Sequence, residues 1–336
     1  MCETFSNPFC QPDNSESSRR VRQANFVSPD KDHMSAALRG QQRVIDVANM
    51  APYCMFYPTL DSFYITDFPI CTQVKGDASL QCRFYEIPVA EYIADDLPDN
   101  IFDLNDENIR VYSGMLNVNL LGLAGKGKFK TAHPGWVTLD GGEDLPPFTN
   151  KRVCVKQFYR ERENNGGIAR LDGRYELSAL VTECNCIQWG SILLDLTYKF
   201  IMREIERRGC PKLPIPDLRY TRVMVAIVQE TLLKEKAYLV EEWIDNDEGE
   251  GEPQFCKYIN NRLPASIVPD SAPASAHNIA EFLLFSQHVQ WQKMIKGVFV
   301  SDYQGAGGLL TDPQITSNPY VPTSMTSSRL TDIFNY

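Results

Sequence analysis

The sequence predicts an α+β protein with two lobes, and three observations predict this class. Segments with strand-like alternation fall into two groups, one before and one after a single long amphipathic stretch. They do not alternate regularly with helices, so a doubly wound βαβ series is not expected. The 336 residues are 43% hydrophobic, which is enough apolar material for two cores.

The domain organisation follows from the same order of segments. Residues 1–45 are polar and predict a disordered leader, and residues 46–107 predict a poorly defined N-terminal extension. The N-lobe is expected over 108–240, as a mainly antiparallel sheet with a long helix. A mixed C-lobe is expected over 241–316, and a flexible tail over 317–336.

Strands dominate the predicted N-lobe. Alternation over 109–121 and again over 135–139 predicts strands on either side of a Gly/Lys turn, GLAGKGKFK, at 122–130. In VCVKQFY, residues 153–159, the two valines share one face of a strand and Lys156 lies on the other.

A long helix is predicted over Tyr175–Arg208, because apolar residues recur at i, i+3, i+4 and i+7 and Gly209 follows its end. Residues 222–228 and 237–244 then predict the two strands of a hairpin.

The last elements are a second helix over His277–Trp291 and a short apolar strand over Val298–Ser301. This strand is expected to end at Asp302.

Composition excludes several classes of function. The 33 basic and 43 acidic residues leave a net charge of −10, which argues against nucleic-acid binding because phosphate backbones need a basic surface. No stretch of about 18 apolar residues predicts a membrane span, and the sequence shows no secretory signal, so a cytoplasmic protein is expected. Residues 241–252 include seven acidic residues and predict a solvated loop that disfavours acidic substrates. Nothing in the sequence indicates an oligomeric state.

Two features could bind a phosphate. Gly125 and Gly127 would let backbone N–H groups approach a phosphate closely, with lysines alongside, although the same residues suit a plain hairpin turn. Lys156 lies inside an apolar strand, where a buried ammonium group needs a counter-charge or a ligand. An outward-facing lysine on an edge strand is the alternative. Glu183, on the long helix, could pair with Lys156 or be an exposed helix charge.

The segment VFVSDYQGAGGLLTDPQI, residues 298–315, carries the strongest chemical signal. Asp302 is followed by Gln304 and Asp312, with three glycines between them. Two carboxylates and an amide oxygen suit Mg²⁺, and a carboxylate at a strand end can orient a hydroxyl group. An Asp/Gly-rich surface turn is the alternative. A single histidine such as His288, on the second helix, is more typical of packing than of metal binding.

Several segments resemble the alpha-kinase family of atypical serine/threonine protein kinases, including its fungal members. DYQGAGGLLTDPQI resembles the signature D-x-Q-G-x-G-x-x-x-T-D-P-Q-I, VCVKQFY the ATP-lysine strand, and YLVEEWI the hinge strand. FCKYINN resembles the F-x-K-Y-N-x-N segment, and FSQHVQW the F-S-H-F-T-Y helix with one extra residue before the histidine. GKGKFKTAHPGWVTL is similar to the N-lobe strands of the fungal members. The resemblance covers about residues 108–316.

The resemblance implies a two-lobed, protein-kinase-like fold with ATP between the lobes and Mg²⁺-assisted transfer of the γ-phosphate to a protein hydroxyl. Asp302 would engage the acceptor hydroxyl, and Gln304 and Asp312 would hold Mg²⁺. The residues expected at ATP are Lys156 at the phosphates, Gly125 and Gly127 in the Gly-rich turn, the backbone of Glu241 and Glu242 at the adenine, and Lys257, Asn260 and Asn261 on the C-lobe side.

The sequence departs from the family after the D-P-Q-I motif, where the family has a Gly-rich loop and an H-x-C-x-x-x-C zinc segment. No Cys follows Cys256 and no His follows His288, although His288 matches the family's first zinc ligand. The C-lobe is therefore expected to be truncated and to hold no structural zinc, which needs four ligands. An active alpha-type protein kinase is the expected function, and a nucleotide-binding pseudokinase or interaction module is the alternative.

Overall fold

A computed structural model describes residues 77–317, apart from 88–101, 142–144, 147–148, 162–166, 212, 230–235, 245–254 and 295–296. The described residues form two compact units that interleave along the chain, whereas we predicted contiguous lobes. We call residues 77–188 and 220–244 the eight-stranded unit, and residues 189–219 and 255–317 the five-stranded unit. The predicted leader, the acidic run after Ile244 and the tail lie outside the described residues.

The order of elements confirms the α+β class. In chain order they are β1 (Asp77–Glu86), β2 (Val111–Asn119), β3 (Gly125–Lys126), β4 (Lys130–Leu139), β5 (Lys151–Glu161), β6 (Ile168–Arg170), α1 (Gly173–Arg208), β7 (Arg219–Tyr220), β8 (Val223–Val228), β9 (Ala237–Glu242), β10 (Cys256–Asn260), β11 (Leu263–Ser266), α2 (Ala274–Lys293), β12 (Val298–Ala306) and β13 (Leu309–Ser317).

The sheet of the eight-stranded unit closes on itself. Its strand order is β3-β4-β2-β1-β8-β9-β5-β6, and β4 also pairs with β5, so six of the strands form a closed barrel. All of its strand pairings are antiparallel. Closure removes the free edges of the six barrel strands.

Strand β1 comes from the range that we predicted to be a poorly defined extension. It pairs with β2 on one side and β8 on the other, so it is an interior strand of the barrel. Its alternate residues Ala78, Leu80, Cys82 and Phe84 pack into the barrel core. Their period of two is the reason this segment becomes a strand.

Alternation also explains the inward faces of the other barrel strands. Val153 and Val155 of β5 are both fully buried in the core, as their spacing predicts. Leu116 and Val118 of β2 face the same core. Neighbouring residues of a strand point to opposite faces, so Lys156, next to Val155, lies on the outer face of the barrel wall.

Helix α1 begins two residues before the predicted start and ends at the predicted Arg208. Its first half belongs to the eight-stranded unit and is tied to the barrel by polar contacts. Glu176 binds Arg170 of β6 at 2.9 Å, and the same guanidinium donates to the hydroxyl of Tyr238 at 2.7 Å. Glu183 forms an ion pair with Lys130 of β4 at 2.5 Å.

The five-stranded unit contains the order β11-β10-β12-β13-β7 together with the second half of α1 and all of α2. Strand β12 is longer than predicted, because it continues from Val298 through Asp302 to Ala306. Gly305 permits this continuation, since a Cβ there would lie 1.8 Å from the carbonyl oxygen of Leu309 on β13. Asp302 is thus inside a strand and not at its end.

Among the described residues, neither α1 nor α2 combines the length and the apolar character that a membrane-crossing helix requires.

Candidate active site

Asp302 is a buried acidic residue of the five-stranded unit. Its side chain is only 4% exposed, although β12 places it beside polar neighbours. Lys257 of β10 binds its Oδ2 through Nζ at 2.9 Å. The other oxygen, Oδ1, is buried and has no hydrogen-bond partner in the part of the chain that the structure describes. A buried carboxylate oxygen in this state can accept a hydrogen bond from a ligand.

The surroundings of Asp302 alter its acidity. Burial raises the pKa of the carboxyl group, the Lys257 ammonium lowers it, and the nearby charge of Asp312 raises it. The net effect is a pKa above the ordinary value. Such a carboxylate binds a proton more readily than an exposed one, which suits a group that receives a proton during a reaction.

Gln304 and Asp312 come together across the hairpin of β12 and β13. The amide nitrogen of Gln304 donates to Oδ2 of Asp312 at 3.1 Å. The ladder shifts register on both sides of Asp302, and β13 has an extra residue opposite the step from Asp302 to Gln304. Asp312 lies in this irregular stretch with a φ of 49°, a conformation that few residues other than glycine adopt. The bulge brings the two predicted metal ligands side by side.

The donors of this cluster fit a magnesium ion. Asp312 supplies carboxylate oxygens, and a half-turn of the Gln304 amide would present its oxygen where its nitrogen now lies. Mg²⁺ prefers such hard oxygen ligands, and it commonly takes only one or two from protein carboxylates.

The two asparagines of the turn between β10 and β11 have different neighbours. Asn260 accepts hydrogen bonds from the backbone N–H groups of Arg262 and Leu263, at 2.9 and 3.3 Å, and so stabilises the turn itself. Asn261 donates to the side-chain oxygen of Gln314 at 2.6 Å, and Gln314 is the β13 residue paired with Asp302. Asn261 is therefore the asparagine whose contact leads toward the Asp302 site.

Lys156 forms a buried ion pair in the eight-stranded unit. Its Nζ lies 2.8 Å from Oε2 of Glu241 on the neighbouring strand β9. The two side chains are 7% and 2% exposed, which supplies the counter-charge that the sequence required for a lysine in an apolar strand. It also shows that Glu241 contributes its side chain here, whereas the sequence suggested only its backbone.

The backbone of β9 is engaged by strands on both sides. Glu241 pairs with Cys154 of β5 and Val223 of β8, and the N–H of Glu242 donates to the carbonyl of Arg222 at 2.9 Å. Backbone contacts with an adenine would therefore have to come from the residues that follow Glu242, because a paired interior strand has few groups to offer.

The Gly-rich turn has the contacts of an ordinary hairpin. The N–H of Gly127 donates to the carbonyl of Lys130 at 2.8 Å, and the hydroxyl of Tyr159 donates to the carbonyl of Gly127 at 2.5 Å. A Cβ at Gly125 or Gly127 would meet its nearest atom at 3.9 or 3.6 Å, and neither residue has a positive φ. The backbone of this turn does not itself require glycine at either position.

A comparison with family models decides the relationship. The model of the alpha-kinase family matches residues 125–335, which is more than half of the chain. The chain belongs to the alpha-kinase family. Membership gives it a kinase-type, ATP-binding fold, and the antiparallel sheet and long helix predicted for an alpha-kinase are those of the structure. A comparison with curated proteins finds no match.

Solved alpha-kinase domains of myosin heavy chain kinase A are similar to this chain at low identity. One with a phosphorylated aspartate is 14% identical and covers 76% of this chain and 91% of its own, with a TM-score of 0.43. A complex with ADP is 14% identical and covers 71% and 82%, with a TM-score of 0.42. A C-terminally truncated domain is 12% identical and covers 77% and 98%, with a TM-score of 0.43.

His288, which we matched with the family's first zinc ligand, lies next to a buried glutamine on α2. His288 is half-buried on α2, and burial lowers its pKa. Gln287, the residue before it, is fully buried and donates a hydrogen bond to the backbone of β12. Successive residues of a helix are about 100° apart around its axis, so His288 lies on a different side of α2 from Gln287. No cluster of three or more potential metal ligands occurs among the described residues. The absence of structural zinc stays a prediction.

Sequence reasoning missed two features of this alpha-kinase site. The Lys257–Asp302 pair joins residues 45 positions apart, and no local pattern signals it. Gln287 and Gln290 of α2 bind β12 next to Asp302. Their spacing of three on a helix face that is mainly apolar was a signal, since fully buried glutamines need partners.

Proposed function

We propose that this alpha-kinase is an ATP-dependent serine/threonine protein kinase, which transfers the γ-phosphate of ATP to a protein hydroxyl with the help of Mg²⁺. Family membership supports the kinase-type fold. The observation that carries the proposal is the carboxylate of Asp302, which is buried, held through one oxygen by Lys257, and unpartnered at the other oxygen among the described residues. ATP is an intracellular metabolite, so we propose a cytoplasmic place of action.

Asp302 would receive the hydroxyl group of the acceptor. Its Oδ1 can accept the hydroxyl hydrogen bond, while Lys257 keeps the carboxylate in place through Oδ2. As the hydroxyl oxygen bonds to the γ-phosphorus and the bond to the ADP oxygen breaks, the hydroxyl proton passes to Asp302. The raised pKa of this carboxyl group favours that transfer.

Other residues would hold the cosubstrates. Asp312 would offer carboxylate oxygens to Mg²⁺, and Gln304, whose amide nitrogen now lies 3.1 Å from Oδ2 of Asp312, would offer its amide oxygen after a half-turn of the amide. The residues that we propose at ATP are Lys156 at the phosphates, Gly125 and Gly127 in the Gly-rich turn, Lys257, Asn260 and Asn261, with adenine contacts close to Glu241 and Glu242. When bound, ATP and Mg²⁺ supply a transferable phosphoryl group whose negative charge is partly neutralised.

A transfer assay tests the proposal. The purified chain is incubated with γ-labelled ATP, Mg²⁺ and a basic serine/threonine-containing protein, and the labelled amino acids are identified after hydrolysis. Asp302→Asn keeps the shape of the side chain but removes its basicity, so we expect the rate to fall by about 10²- to 10⁴-fold. Asp270→Asn is the matched control, because Asp270 is an exposed aspartate of the same unit.

Three outcomes would contradict the proposal. Transfer that survives Asp302→Asn would place the acceptor site elsewhere. Label on tyrosine alone would refute the serine/threonine specificity. No transfer by the parent chain, with thermal stabilisation by ATP retained, would favour a nucleotide-binding pseudokinase.

A further inference from the structure

Two buried glutamines of α2 bind the strand that carries Asp302. Gln290 accepts a hydrogen bond at Oε1 from the N–H of Val300, at 2.9 Å. Gln287 donates through Nε2 to the carbonyl of Val300, also at 2.9 Å. Both glutamines are almost completely buried, at 0% and 1% exposure. We call this pair the glutamine clamp.

The clamp takes the place of a neighbouring strand. Strand β10 pairs with β12 only from Tyr303 to Gly305, so it does not reach Val300. On its other side, Val300 pairs with Ile315 of β13. The two side-chain amides therefore satisfy the backbone groups of Val300 that an additional strand would otherwise bind.

The clamp brackets Asp302 on both sides. Before it, the ladder between β12 and β13 shifts register just after Val300, where the glutamines bind. After it, the hydroxyl of Tyr303 lies 3.1 Å from Nε2 of Gln290, and the ring of Tyr303 is buried. One side chain, Gln290, thus contacts the residue two positions before Asp302 and the residue directly after it. Because the backbone is held on both sides of Asp302, the direction of its side chain at this bulge is fixed as well.

The clamp is itself anchored in the interior of the five-stranded unit. Nε2 of Gln290 also lies 2.9 Å from the hydroxyl of Ser286 and 3.2 Å from the carbonyl of Leu193 on α1. Ser286 in turn contacts the hydroxyl of Thr197 at 2.9 Å. A network of this kind, buried and connected to two helices, holds its members rigidly because each lost bond leaves a polar group unsatisfied.

We propose that Gln290, with Gln287, is a positioning residue of the phosphotransfer site, which holds Asp302 at the register where its carboxylate meets Lys257 and the acceptor hydroxyl. This inference rests on the proposed function. Neither glutamine reaches the reacting atoms in this role. Each acts through the backbone of β12, and Gln290 also through the Tyr303 hydroxyl.

The first test separates positioning from stability. Gln290→Leu removes both ends of the amide at similar volume, and Thr197→Val removes a bond of the same network that involves only the two helices. We expect kcat of Gln290→Leu to fall by about 10- to 100-fold with an unchanged KM for ATP, because small displacements of a catalytic group cost rate and not ground-state binding. Thr197→Val should keep the parent kcat under conditions where both variants are folded by circular dichroism.

Equal losses of kcat in both variants, or an unchanged kcat in Gln290→Leu, would overturn the proposal. A loss confined to KM for ATP would do so as well, because it would place Gln290 in nucleotide binding.

The second test needs no catalysis. Crystal structures of the parent, Gln290→Leu and Thr197→Val are compared at the pair that the clamp is proposed to align. In the parent and in Thr197→Val, Nζ of Lys257 should lie within hydrogen-bond distance of Oδ2 of Asp302, as it does at 2.9 Å here, and in Gln290→Leu this contact should be lost. An unchanged contact in Gln290→Leu would overturn the proposal. If the parent transfers no phosphate, the proposed function fails, and this comparison alone then decides whether the clamp positions Asp302.

Discussion

Replacement of Lys257 by methionine should shift the acidic limb of the pH–rate profile. The substitution keeps most of the stem of Lys257 but removes the ammonium group that lies 2.9 Å from Asp302. Burial and the charge of Asp312 already raise the pKa of Asp302, and Lys257 opposes both. Without it, the pKa of Asp302 rises further, and the carboxylate becomes protonated at a higher pH.

The size of the shift follows from the exposure of the pair. A hydrogen bond to a charged group contributes about 1.5–3 kcal/mol. Lys257 is 44% exposed, so solvent screens the pair, and we take the lower end of this range. About 1.4 kcal/mol corresponds to one pKa unit, so the acidic limb should move upward by about one unit.

The assay is kcat/KM for ATP measured across pH in the parent, in Lys257→Met and in the charge-retaining control Lys257→Arg. Any uniform loss of rate at all pH values is set aside, because Lys257 is also proposed to border ATP. The test is the pH at which the acidic limb of each profile lies. Parent and Lys257→Met limbs that coincide would refute the electrostatic coupling of Lys257 to Asp302, and a limb that moves to lower pH would refute its sign.

Three further predictions concern stability, measured by urea unfolding. Lys156→Met leaves Glu241 as a buried carboxylate without its lysine, so the free energy of unfolding should fall by about 3–5 kcal/mol. The double variant with Glu241→Leu should recover most of this loss. A double variant no more stable than the single one would contradict a buried ion pair. Gly305→Ala should cost about 3 kcal/mol or more because its Cβ would meet a backbone carbonyl at 1.8 Å, while Gly125→Ala, with 3.9 Å of room, should be nearly neutral. Asp302→Asn should raise the free energy of unfolding at pH 7, because a carboxyl group whose folded pKa is raised costs stability as the pH rises through and above its unfolded value. The gain should vanish at acidic pH, and a gain that persists there would contradict this cause.

Much of the fold could be predicted because local periodicity encodes it. Val153 and Val155 alternate and face the core, and α1 follows its apolar repeat to the predicted Arg208. Less of the site could be predicted. The cluster of Asp302, Gln304 and Asp312 was visible because its members lie within eleven residues of each other on one hairpin.

Errors arose where a long-range pairing outweighed the local pattern. Strand β1 lies in the range that we predicted to be a poorly defined extension, and pairing with β2 and β8 makes it an interior strand. Strand β12 was expected to stop at Asp302, because Asp and Gly are typical turn residues, yet pairing with β13 extends it to Ala306.

The sequence by itself determined the class of the protein, the alternating faces of its strands, the long helix and the residue types of the signature around Asp302. These depend on contacts within about ten residues, which the order of side chains specifies directly. Only the tertiary structure decided the closure of the barrel, the partner of Lys156, the pairing of Lys257 with Asp302 and the clamp by Gln290. Each of these contacts joins segments that are distant in the sequence. The packing of strands and helices decides which charged or polar groups meet, and no local pattern records that packing.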